Sequence, residues 1–163
     1  MAESNPLEIY LEDHLAGAAS AVDLLKEMRD EYDGESLGRF VAELLEEVEA
    51  DRKTLEQFAQ RVASGSHPFK EAAAKVAEKA ARFKLSRRMA GPLGRLESLE
   101  FLALGIWGKR ALWRALSSVA SEDTRLQPLD LGALIARAES QHERVEQRRL
   151  EAAKASLAPA PAA

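Results

Sequence analysis

The chain has 163 residues, of which 46% are hydrophobic and 31% charged, with no cysteine and a formal net charge of -4. That length suits a single domain with a core of its own, and the lack of cysteine excludes disulfides, thiolate zinc sites and a cysteine nucleophile. The Ala-, Leu-, Glu- and Arg-rich composition, with almost no β-branched runs, predicts an all-helical protein, and the acidic balance weighs against a general nucleic-acid binder.

The opening residues MAESNPLEIYLEDH are acidic and lack the basic-then-apolar order of a signal peptide, so a cytoplasmic location is expected. Asn5 can cap a first helix and Pro6 suits its first position. This helix should run to Tyr32, with an apolar row of Leu7, Leu11, Ala18, Ala21, Leu25 and Met28. His14 falls in that row. Asp33-Gly34 reads as a stop, because glycine adopts the left-handed conformation that ends helices. Ser36 can cap a second helix, Leu37 to about Ala63, whose row is Leu37, Val41, Leu44, Val48, Leu55, Phe58 and Val62. Asp51 stands where that row demands an apolar side chain.

Ser64 to Pro68 breaks the pattern, and a shorter amphipathic helix is expected from Phe69 to about Leu85. The stretch from Lys70 to Arg95 carries eight basic side chains against Glu71 and Glu78, a net +6. Within it Lys84, Arg87 and Arg88 form a candidate anion site, though a basic segment lying against the acidic second helix accounts for them more simply. Gly91-Pro92 begins the most apolar run of the chain. Leu96, Leu99, Leu102, Ala103, Ile106, Trp113 and Leu116 repeat at helical spacing, and Leu93, Phe101, Leu104 and Trp107 extend the apolar character around the circumference. Such a helix should be surrounded by others, with Gly105 and Gly108 admitting a neighbouring backbone. It carries Glu97, Glu100, Lys109 and Arg110, too many charges for a membrane span. After a polar loop, Glu122 to Pro128, a last helix runs from about Leu129 to Leu157. Its row is Leu131, Leu134, Ile135, Ala138 and Val145, interrupted by His142. The domain is residues 1–157, followed by an Ala/Pro tail, 158–163, expected to be flexible.

Two helix pairs with a tight turn inside each, joined by a long connection, form a distinctive order. With FVAELLEEVEADRKTLEQF in the second helix and LIARAESQHERVEQRRL in the fourth, the chain resembles the ferritin-like superfamily. The resemblance implies an all-α, ferritin-like four-helix bundle with one long crossover connection carrying the short extra helix. It also implies a di-iron centre, with a Glu on each of two helices and Glu-x-x-His on each of the others. Glu139 and His142 match one such pair. Asp51 and Thr54 occupy the equivalent positions on the second helix, and Thr54 is a poor substitute for histidine. The mirror symmetry of an antiparallel pair places Asp51 level with Gly17 and Ala18, one turn from His14. It places His142 level with Gly108 and Glu139 level with Ala111, leaving Lys109 and Arg110 where a carboxylate is required.

Two readings of the core follow, beside a third in which the basic stretch from Lys70 to Arg95 binds an anion or nucleic acid. In the first, Asp51, Glu139 and His142, with His14 recruited, hold iron or manganese in an oxidase or peroxide-handling enzyme. In the second, which is favoured, no cofactor binds and ion pairs tie the core: Glu139 with Lys109 or Arg110, Glu100 with Arg148 or Arg149, and Asp51 with a basic group across the core. The protein is then a non-catalytic binding or structural bundle, expected to form a homodimer, with neither membrane nor nucleic acid as partner. No Gly-x-Ser-x-Gly turn supports nucleophilic catalysis.

Overall fold

The computed structural model describes residues 5–63 and 91–159. Among these residues the secondary structure is four helices, α1 (Pro6–Glu31), α2 (Ser36–Val62), α3 (Gly91–Val119) and α4 (Leu131–Leu157), with a single 3-10 turn at Thr124–Leu126. The expected short helix at 69–85, the candidate anion residues Lys84, Arg87 and Arg88, and the end of the tail lie outside the described residues.

Two of the helices, α1 and α4, begin at a side-chain cap. Asn5 Oδ1 accepts the Leu7 N–H at 3.1 Å, and Asp130 Oδ1 accepts the Ala133 N–H at 2.9 Å; each satisfies a donor that the first helical turn leaves open. Ser36 does not cap α2. It is the first helical residue, and Glu35 before it makes no side-chain cap but reaches across to Arg95 at 3.0 Å. The turn between α1 and α2 depends on two glycines. Gly34 has a φ of 80°, the left-handed region. Gly38 lets the turn fold back closely, since a Cβ there would lie 2.1 Å from the Tyr32 carbonyl oxygen.

The cross-helix contacts define the order. Glu35, at the start of α2, meets Arg95, at the start of α3, so these helices run in parallel. The guanidinium of Arg148, late in α4, lies over Phe40, early in α2, at 5.4 Å, so α4 is antiparallel to both. The bundle is therefore up-down-down-up, and the chain between Ala63 and Gly91 joins opposite ends.

A single core fills the bundle: Leu11, Leu25 and Met28 from α1, Val41, Leu44 and Phe58 from α2, Leu99, Leu102 and Trp113 from α3, and Ala138 and Val145 from α4. Burying each large side chain supplies about 1.5–3 kcal/mol. No described helix is long and apolar enough to cross a membrane. Two expectations for α3 need correction. It is not enclosed, since Leu93, Leu104 and Trp107 are 54%, 68% and 52% exposed. Nor do Gly105 and Gly108 admit a neighbouring backbone: a Cβ at either would find nothing within 4 Å.

Candidate functional site

Asp51 is the organising residue of the interior. It stands on the apolar row of α2 at 3% exposure, and an unpaired carboxylate at such depth would be very costly. The compensation comes from two other helices. Lys109 of α3 donates from Nζ to Asp51 Oδ2 at 2.5 Å. Lys109 lies three residues after Ile106 and three before Leu112, so its stem runs along the buried stripe of α3 and delivers the ammonium inward. Arg137 of α4 brings its guanidinium against Asp51 Oδ1 as an ion pair without hydrogen-bond geometry.

Gln141 completes the cluster from the centre of α4, where it is fully buried. Its Oε1 accepts from Lys109 Nζ, while Nε2 donates to Glu47 Oε2 at 3.0 Å and to Asp51 Oδ2 at 3.2 Å. The amide thus turns its acceptor to the ammonium and its donors to the carboxylates. Arg144 extends the network outward to Glu47 at 2.6 Å. Burial pushes the Lys109 ammonium below its usual value of 10.5, and the charge and hydrogen bond of Asp51 hold back part of that shift. Burial pushes Glu47 upward, but hydrogen bonds from Arg144 and Gln141 outweigh it and leave the carboxyl below its usual 4.5.

The remaining residues marked in the sequence sit elsewhere. Glu139 is half-exposed and accepts from Arg110 Nε at 2.7 Å, so this pair lies at the surface rather than in the core. His142 packs its ring on Trp107, centroids 5.2 Å apart, and the guanidinium of Arg110 lies over the same indole at 4.7 Å. The levels expected for α3 against α4 thus hold, but Glu139 and His142 face away from Asp51. Arg148 pairs with Glu151 at 3.3 Å on its own helix, not with Glu100. Glu100 is exposed, and its charge acts on Arg149. Thr54 donates its hydroxyl back to the Ala50 carbonyl at 3.1 Å.

The ligand set implied by the ferritin-like resemblance does not fit this arrangement. Asp51 faces an ammonium and a guanidinium, and among the described residues no three His, Asp or Glu side chains group in a way that could hold a metal.

Beside the cluster lies a cavity of about 220 Å³ between α1, α2 and α3, bordered by His14, Gly17, Asp51, Gly105, Lys109 and Trp113. His14 packs edge-on against Tyr10, centroids 4.7 Å apart, and burial lowers its pKa from the usual 6.5 despite the nearby Asp13 charge. Of the four metal candidates, only Asp51 and His14 share this space.

Sequence reading missed Arg137, Gln141, Glu47 and Arg144. The signal was present as spacing: Leu134, Ala138, Gln141 and Val145 continue one row of α4, and Arg137, Gln141 and Arg144 follow one another by four and three residues. The Glu-x-x-His pattern drew attention to His142, one position out of phase. When compared with models of known protein families, with curated proteins and with solved structures, the chain matches none.

Proposed function

We propose that this chain is a non-catalytic, ferritin-like bundle in which a buried ion-pair cluster takes the place of the metal centre, and that it works as a binding or structural protein. The observation that carries this reading is the contact of Lys109 Nζ with Asp51 Oδ2 at 2.5 Å, reinforced by Arg137 and Gln141. The up-down-down-up order, with its one connection between opposite ends, supports the ferritin-like part. A cation anchored on α3 supplies the charge that a metal would otherwise bring to a buried carboxylate. Such a cluster ties α2, α3 and α4 in one register at little net gain in stability.

Metal analysis tests the reading. Protein purified without chelator, from cells grown with added iron and manganese, should carry no stoichiometric metal; two metal ions per chain would overturn it. The same reading includes a homodimer, supported by Leu93, Leu104 and Trp107 exposed along one side of α3. Sedimentation equilibrium should return twice the 17.9 kDa chain mass, and a monomer at all concentrations would remove the dimer.

A further inference from the structure

One face of α3 stays open along the length of the helix. From Leu93 to Ser118, at alternating intervals of four and three residues, every position is exposed. That spacing averages 3.5 residues, the repeat with which one helix lies along another. At 1.5 Å per residue the face is about 37 Å long.

The character of the face changes from end to end. Glu97 and Glu100 stand toward its start, Leu104 and Trp107 at its middle, and Ala111 and Arg114 toward its end. Leu104 and Trp107 are each more than half exposed. Among the described residues neither Glu97 nor Arg114 forms an ion pair. Trp107 is braced from within its own chain, with the His142 ring 5.2 Å away between centroids and the Arg110 guanidinium over the indole at 4.7 Å. An aromatic side chain held in this way loses little freedom when its open side is covered.

This order is self-complementary. A second copy turned end for end about a two-fold axis level with the midpoint of Gly105 and Ile106 brings Leu104 level with the partner's Trp107. The same operation sets Glu100 level with the partner's Ala111 and Glu97 level with the partner's Arg114. Each pairing then occurs twice, as an interface with two-fold symmetry requires. In a parallel pair in register, Glu97, Glu100 and Arg114 would each meet their own copy. Like charges across an interface select against that arrangement.

We propose that α3 pairs antiparallel with α3 of a second copy through this face, with Leu104 and Trp107 at the two-fold axis and Glu97 opposite the partner's Arg114 at both ends. The proposal rests on the homodimer reading above and specifies the surface and register that form the dimer.

Sedimentation equilibrium of the full chain and its charge variants tests it. Glu97→Arg and Arg114→Glu each set like charges opposite one another at both ends, and each should weaken dimerisation by about tenfold or more. Helix content by circular dichroism should be unchanged in both. An equal mixture of the two variants restores opposite charges in the unlike dimer, and its dissociation constant should return to within about threefold of wild type. Thiol linking gives an independent readout, should a reversed chain not fold. In a mixture of chains carrying Glu100→Cys with chains carrying Ala111→Cys, a short bifunctional thiol reagent should link unlike chains. Chains carrying Glu100→Cys alone should not link to one another, since antiparallel pairing holds their thiols about 16 Å apart along the axis. A wild-type dimer that neither reversal weakens, or whose weakened variants do not recover on mixing, overturns this pairing and leaves the homodimer reading in place. So does linking of Glu100→Cys chains to one another, or no linking of unlike chains within a dimer. A wild-type chain that is monomeric at all concentrations overturns both.

Discussion

At the scale of single residues, the molecule turns on one buried carboxylate and what neutralises it. Removing one partner of a buried pair strands the other, so Lys109→Ala should destabilise the fold by about 3–5 kcal/mol in chemical denaturation. Asp51→Leu combined with Lys109→Met should cost less than the sum of the two single changes, because it leaves neither charge uncompensated. Additive costs would mean that the pair is not energetically coupled. Glu47 makes a prediction about acid. Its folded pKa lies below the usual 4.5, so between those values the unfolded chain binds more protons and stability falls as pH falls. Glu47→Gln should flatten the stability profile below pH 4.5 and leave neutral pH nearly unaffected by titration of this group. The oddity of Asp51 was legible in the sequence, because a charge interrupts an otherwise continuous apolar row. A cation from α3 was legible too, but the partners from α4 were not. Arg137 and Gln141 come from a helix separated by about ninety residues, and only the rotation of α4 about its axis decides that they, rather than Glu139 and His142, face inward.

At the scale of the element, caps and glycines have distinct and measurable roles. Asn5→Ala should cost about 1 kcal/mol through loss of the cap to Leu7. The helical glycines divide sharply. Gly38→Ala drives a Cβ into the Tyr32 carbonyl and should destabilise by about 1–3 kcal/mol, since backbone must move to admit it. Gly17→Ala meets nothing within 4 Å and should stabilise by up to about 1 kcal/mol through helix propensity. Thermal unfolding of the two variants gives the comparison, and a shift of the same sign in both would contradict it. Sequence pattern located the four long helices within a few residues, because apolar periodicity and caps are local. It misjudged the glycines, because a glycine that permits close approach and one that borders open space look identical in sequence.

At the scale of the whole molecule, the contact of Glu35 with Arg95 makes α2 and α3 parallel and obliges the intervening chain to join opposite ends. Because the chain lacks cysteine, Glu35→Cys with Arg95→Cys introduces the only two thiols, and a short bifunctional thiol reagent should link them within one chain. Failure to link in the folded protein would overturn the parallel order. The amino-acid sequence by itself determined the helical class, the tight turn at Gly34 and the inward place of Asp51, since each follows from spacing or from the conformational range of one residue. Tertiary structure alone decided which cations reach Asp51, that Glu139 and His142 turn outward, and that Gly17 and Gly105 border a cavity. Those outcomes depend on how each helix is rotated and spaced against its neighbours, and a shift of one residue in phase turns a side chain by about 100° around its helix.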